Sequence, residues 1–339
     1  ADNAGRNNLA IASFAMLDFD SALEQGREAL DVYPKNEIMR SNLALYAMYA
    51  GEFETSRTEA EALLADNPDY FTAWLPIAMA ANASGDLPGA ESAYAQMAST
   101  GARGVSLSNL GLADLALVRG DADAARQALE QGIGIDIESN NPRSAAIKRV
   151  MLAEAEILAG NEATAREYLE DAVETAGLAI QVPAALAYVS IGDTGKAADI
   201  ATEFGASLNA QSRAYGKLID ALIGLGAGDN IATIDGLSGG LALADLWLLR
   251  YYRGVAYFEG GAYVEALDEF RHCEQRIGEA TAAFLDDLPT WRLTALLPYR
   301  TALAEAELGM QTEAAVNLER FVAYRQAGPE VEAATDLLR

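Results

Sequence analysis

His272 and Cys273 are the only histidine and the only cysteine among 339 residues. Such a pair can work as base and nucleophile, or share a zinc ion, when the two side chains face one another. Here they are adjacent, and neighbours on a helix point about 100° apart, so they make no dyad. Cys273 falls where a helical pattern places a small buried residue and is read as core. Two glycine clusters look like phosphate loops in composition only. Gly224, Gly226 and Gly228 follow a helix rather than a strand. Gly192-Asp193-Thr194-Gly195-Lys196 lacks the four-residue gap, and no Ser or Thr follows its lysine. Both read as helix-turn glycines. Glu305 and Glu307 stand two apart on a helix and do not face each other, while Asp286 and Asp287 lie in a linker. Asn82-Ala83-Ser84 fits a glycosylation triplet, a pattern frequent by chance. No catalytic residue, metal ligand or cofactor is expected, and the chain reads as a non-enzyme.

The bulk properties agree with a binding role. Fifty acidic residues against 24 Lys and Arg leave a net charge of −26. That field repels nucleic acid and anionic lipid and favours cationic partners. A general acidic surface bias is the plainer account of it. One cysteine allows no internal disulfide. No run of 18 apolar residues exists, so the chain itself is not expected to enter a membrane. The N-terminus shows neither a basic leader nor an apolar signal core. The chain begins at Ala1 without an initiator methionine and is expected to be a processed or excised part of something longer. Its compartment is unknown: the outer side of a membrane-anchored protein, or the cytoplasm.

The elements that must position any site are set by a period. Phe19, Phe53 and Leu87 lie 34 apart, each after a Leu-Asp, Gly-Glu or Gly-Asp pair. Ala22, Ser56 and Ala90 follow three residues later, and Pro34 and Pro68 close the first two units. A 34-residue period with small residues in register marks a helix-turn-helix array. The expected fold is all-α: a right-handed superhelical solenoid of about nine units over 1–339. Regular repeats fill 1–208, a degenerate unit and possible hinge 209–243, and further repeats with a capping helix 244–339. Each Gly-Asp pair ends a first helix, since glycine accepts the left-handed conformation there. Six glycines between 224 and 240 predict a short or irregular helix near Ile231–Leu237. A loop is expected from Gly132 to Ser144, and a final helix from Pro329.

Gly254-x2-Tyr257, Gly261-x-Tyr263 and Ala266-x3-Phe270, with the Trp74 and Ala90 units, resemble the tetratricopeptide repeat. The stretches 42–54 (Asn42 to Glu54), 111–117, 254–266 and 278–290 (through Phe284-Leu285-Asp286-Asp287) are similar to the C-terminal repeat region of bacterial membrane-anchored serine/threonine kinases of the eukaryotic-like type. None of the kinase motifs is present, so the resemblance implies a sensor or docking context. In the repeat family first helices line a concave groove. Carried over, that places Asn7, Ile11 and Phe14; Ser41, Leu45 and Met48; Leu75, Met79 and Asn82; Leu110, Asp114 and Leu117; and Tyr251, Val255 and Phe258 inward, with Trp74 nearby. Lys and Arg are missing from these places, which speaks against a carboxylate clamp. Asn8 and Asn42 are equivalent and can bond an extended peptide or a neighbouring repeat. The apolar lining can serve a ligand, or be buried by a tight superhelix or a partner chain. The expected function is capture of a peptide or protein segment; the alternative is a scaffold that dimerises.

Overall fold

The computed structural model describes residues 3–282 and 288–339. Every regular element among them is helical. The chain divides into two compact units. Unit 1 (Ala1–Leu115 with Ile277–Trp291) contains α1 (Asn3–Ala15), α2 (Phe19–Val32), α3 (Glu37–Tyr49), α4 (Phe53–Asp66), α5 (Trp74–Ser84), α6 (Leu87–Ala98) and most of α7 (Ala102–Arg119). Its inserted segment starts with a short 3-10 turn, Ile277–Ala282. Unit 2 (Ala116–Arg276 with Arg292–Arg339) holds the end of α7. It continues with α8 (Ala122–Glu138), α9 (Pro142–Leu158), α10 (Glu162–Val173), α11 (Leu178–Ser190), α12 (Thr194–Gly205), α13 (Ala210–Gly226) and α14 (Asn230–Leu241). α15 (Trp247–Glu259), α16 (Tyr263–Gln275), α17 (Leu297–Glu307), α18 (Gln311–Tyr324) and α19 (Pro329–Leu337) complete it.

The turn between the two helices of each pair is built the same way throughout. One residue there takes the left-handed conformation: Leu17 at φ 63°, then Gly51, Gly85, Gly120, Gly160, Gly192, Gly228, Gly261 and Gly309 at φ 75–86°. The residue after it often caps the second helix. Asp18 accepts from the amide of Ser21, Asp86 from Gly89, Asp121 from Ala124 and Asp229 from Ala232, at 2.9–3.1 Å. A Gly-Asp pair thus ends one helix and starts the next.

Five residues after each left-handed residue stands the small one: Ala22, Ser56, Ala90, Ala125, Ala165, Ala197, Thr233, Ala266 and Ala314, none more than 3% exposed. There the second helix closes on the first. Where the small residue carries a hydroxyl, it finds a carbonyl on the first helix. Ser56 Oγ donates to Ala44 O at 2.8 Å, and Thr233 Oγ1 to Ala221 O at 3.2 Å. The Ser and Thr variants of the slot therefore bury no unsatisfied oxygen.

Two local expectations are corrected. The glycine-rich 224–240 stretch forms the end of α13 and a regular α14, not a short irregular helix. Tertiary packing overrides the low propensity. A Cβ on Gly240 would stand 2.3 Å from Leu249 Cδ2, so glycine there permits close approach rather than a break. The Gly132–Ser144 loop is also shorter than expected. α8 runs through Gly132 and Gly134 to Glu138, and the chain turns at Asn140, φ 53°. The last helix, α19, starts at Pro329 as expected and packs on α18 through Ala334.

Unit 2 buries charge as well as apolar surface. Lys148 Nζ lies 2.6 Å from Asp136 Oδ2 and 2.8 Å from Ser144 Oγ, with Lys148 and Asp136 at 0% and 1% side-chain exposure. Burial pulls the Lys148 pKa down, against the pull of Asp136. No helix among the described residues is long and apolar enough to cross a membrane.

Candidate functional site

Two positions on each first helix, six and three residues before the left-handed turn residue, point the same way because they share a helical face. In unit 2 they line an open cavity. Leu186 and Val189 of α11, Leu222 and Leu225 of α13 and Val255 of α15 occupy them, around a volume of about 500 Å³. Ser190, Gly226, Gly228, Asn230, Tyr252, Glu259 and Arg300 complete its wall. A neighbouring hollow of about 210 Å³ shares Leu186, Ser190 and Tyr252 and continues along Glu154 and Ile157 of α9 with Pro183, Ala187 and Leu293. Glu154 and Ile157 again stand six and three before their turn glycine, Gly160. The combined trough follows the first helices α9, α11, α13, α15 and α17. Its volume suits side chains of a bound segment or a small ligand.

The polar groups in this apolar trough are few. Arg292 Nε lies 2.5 Å from Glu154 Oε2 and its terminal nitrogen 3.0 Å from Oε1, a two-point fork. Arg300 lies 3.7 Å from Glu259 Oε1, and its buried Nε makes no hydrogen bond. The Tyr252 phenol is pushed up, first by burial and then by Tyr251 and Glu154, with Arg300 pulling the other way. It therefore stays a neutral donor at physiological pH. The trough thus presents apolar walls, a phenol and a guanidinium with one donor unsatisfied. It can hold a segment by burial and orient it by hydrogen bonds. Among the described residues no cluster of His, Cys, Asp and Glu could hold a metal ion.

The residues singled out by sequence fall in several settings. Val255 lines the trough. Tyr251 is buried, stacked on Trp247 at 5.5 Å, and Phe258 packs against Tyr263 at 5.4 Å. In unit 1, Phe14 joins Phe19, Tyr46 and Tyr49 in an aromatic cluster. Met48, Met79 and Asn82 are fully buried, as is Asp114. Asn7, Asn42, Leu45 and Trp74 are half-buried, and Asn8 and Ile11 are exposed. Cys273 is wholly buried against Trp247, whose indole N–H donates to the Cys273 carbonyl at 2.8 Å. Asp286 and Asp287 lie outside the described residues. Sequence reading missed Glu154, Leu186, Val189, Leu222, Leu225, Tyr252 and Arg300. The offset from Gly160, Gly192 and Gly228 would have found five of them.

At the same two positions in unit 1, Met48, Met79, Asn82 and Asp114 are buried, Phe14 and Leu45 half-buried and Ile11 exposed. The backbone of Gly278 lies so close to the end of α3 that an added Cβ would stand 2.5 Å from Met48 O, 2.6 Å from Gly51 N and 2.7 Å from Tyr49 O. Trp291 N–H donates to Asp114 Oδ2 at 2.9 Å, and its ring meets Phe53 edge-on at 6.0 Å. Thr290 Oγ1 closes back on Ala280 O at 3.2 Å.

Residues 41–104 match the family model of the tetratricopeptide repeat. None of the curated proteins matches the chain. Among solved structures it is similar to the human IFIT1 dimer with PPP-AAAA, with a TM-score of 0.53 and 13% identity over 98% of this chain and 80% of that one. It is also similar to the Cut9-Hcn1 hetero-tetramer of the APC/C, at a TM-score of 0.47 and 14% identity over 97% of this chain. It spans 54% of that protein's length. A tetratricopeptide repeat protein from Parabacteroides merdae aligns over 99% of this chain at a TM-score of 0.35 and 13% identity. At these identities the likeness concerns the fold alone.

Proposed function

We propose that the chain is a non-catalytic binding module that captures a peptide or protein segment along the first helices of unit 2. One observation carries this reading. The equivalent repeat positions of three successive first helices there converge on one apolar cavity of about 500 Å³, with Leu186, Val189 and Leu225 half-buried on its wall. Leu186 and Tyr252, shared by both hollows, are the anchors, and Arg300 orients the occupant. The acidic surface, at net charge −26, favours a segment with cationic flanks over a nucleic acid, although IFIT1 was solved with PPP-AAAA.

Selection from a phage-displayed random peptide library on the full chain tests the proposal. Wild type should enrich related sequences whose binding is lost in Leu186→Asp and kept in the exposed control Glu319→Gln. Enrichment indifferent to Leu186→Asp sinks it. The scaffold alternative predicts a stable dimer by light scattering that Leu186→Asp splits. The similarity of segments 42–54, 111–117, 254–266 and 278–290 to kinase-linked repeat regions supports a finer proposal, a docking part of a bacterial signalling protein. The sequence encoded upstream decides it: a kinase domain supports it, and an unrelated domain removes it.

A further inference from the structure

We propose that the first-helix face of unit 1 is a second peptide groove, which the chain keeps occupied with its own residues 277–282 and 288–291, and that an external segment of the same chemistry can exchange with them. The proposal concerns unit 1 and stands independently of the cavity in unit 2.

Repeat register carries the argument. Six and three residues before each turn residue lie the positions that line the trough of unit 2. In unit 1 the same positions are Leu45 and Met48 on α3, Met79 and Asn82 on α5, and Asp114 on α7. The inserted segment touches the first and last of these helices. Gly278 abuts the carbonyls of Met48 and Tyr49 too closely for any side chain, and Trp291 donates its amide to Asp114 at 2.9 Å. α5 stands between them in repeat order, so its equivalent face belongs to the same groove.

The segment holds the groove as a ligand would. It meets it with a glycine backbone and one main-chain donor to a buried carboxylate, and beside it sets one indole against Phe53 at the start of α4. Its insertion stretches the distance between turn glycines from 33 residues (Gly228 to Gly261) to 48 (Gly261 to Gly309). The fit is incomplete. Asn82 is 0% exposed, yet neither its amide nitrogen nor its amide oxygen has a hydrogen-bond partner. A buried amide left so costs stability that a better-matched main chain would restore. The matching external ligand is a segment with a glycine for the end of α3, a main-chain N–H for Asp114, an indole for Phe53, and a peptide group for Asn82.

Tethering gives the inserted segment an effective concentration of about a millimolar. An external peptide then sees only the fraction of grooves that stand empty, and its affinity falls by that fraction. The probe is a fluorescent synthetic peptide of residues 277–292. The protein is the full chain, as wild type and as Gly278→Ala/Trp291→Ala, which expels the tethered copy. The double variant, with unchanged helical circular dichroism, should bind the probe about tenfold or more tighter than wild type. Adding Asp114→Ala should abolish the gain. A folded double variant that binds no better than wild type overturns the proposal. Should the double variant lose its helices, hydrogen exchange on wild type decides. A Trp291 amide exchanging faster than the core amides of α5 supports an exchangeable occupant, and equal protection overturns it.

Discussion

The first helices of units 1 and 2 carry the same pair of positions before the same kind of turn, with opposite outcomes. In unit 1 those positions end on Gly278 and Trp291 of the same chain, and Met48, Met79, Asn82 and Asp114 are fully buried. In unit 2 they end on a cavity flanked by exposed Ser190 and Glu259. The repeat therefore sets where a groove lies, and the connections between repeats set whether it is free.

The largest test of this contrast removes one aromatic from each groove. Trp291→Ala keeps the main-chain donor to Asp114 but removes a buried indole from Phe53, and should cost about 3–5 kcal/mol of stability. Tyr252 is half-buried on the cavity wall and edge-on to Tyr251 at 5.1 Å, and Tyr252→Ala should cost less, about 1–2 kcal/mol. Urea unfolding of both variants measures the difference; equal losses would mean that the two aromatic side chains are equally packed. A middle-sized effect asks whether both units share one packing rule. Ala90→Leu in unit 1 and Ala125→Leu in unit 2 overfill the same slot, and each should cost about 1–3 kcal/mol. A neutral result in either would show that its helix pair is looser.

Acid separates the units further. Glu156 in unit 2 accepts from Arg126 Nε at 2.6 Å and from Asn161 at 2.7 Å, and the Arg126 bond holds its carboxyl below the usual range. A depressed carboxylate pKa contributes stability that is complete above the ordinary carboxylate value and is lost as pH falls through the lowered one. Glu156→Gln should flatten the acid limb of unit 2's unfolding, followed by hydrogen exchange on α9 and α10. An unchanged acid limb would show that Glu156 is not part of it. The smallest effect sits in unit 1. Leu17 holds a left-handed φ that the other turns give to glycine. Leu17→Gly removes that strain but gains unfolded-chain entropy, and should raise stability by about 0.5–1 kcal/mol. A loss of stability would show that the Leu17 side chain contributes more than its backbone costs.

Much of the helix-pair pattern was legible because it rests on local chemistry. Glycine at a left-handed turn and a small residue five positions later are visible without a structure. The failures have physical causes. Gly132, Gly134, Gly236 and Gly240 look like breakers in a window of sequence, yet they sit within helices, Gly240 where another side chain comes close. Propensity cannot register a neighbour on another helix. Of the residues assigned to the groove face, Val255 lines the cavity of unit 2. Its accessibility was not legible, because the partner of the buried Asp114 lies in a segment 177 residues away. Arg300 went unnoticed because α17 was not carried into the groove.

The detour between α16 and α17 has a wider consequence. α16 still packs on α17 although the chain leaves and returns between them. A joint between hairpins can therefore lengthen without disturbing the stack on either side. New surface chemistry can be added at such joints by insertion alone, leaving each older hairpin unaltered. An array of this design can diversify what it holds, or withholds, while its architecture stays constant.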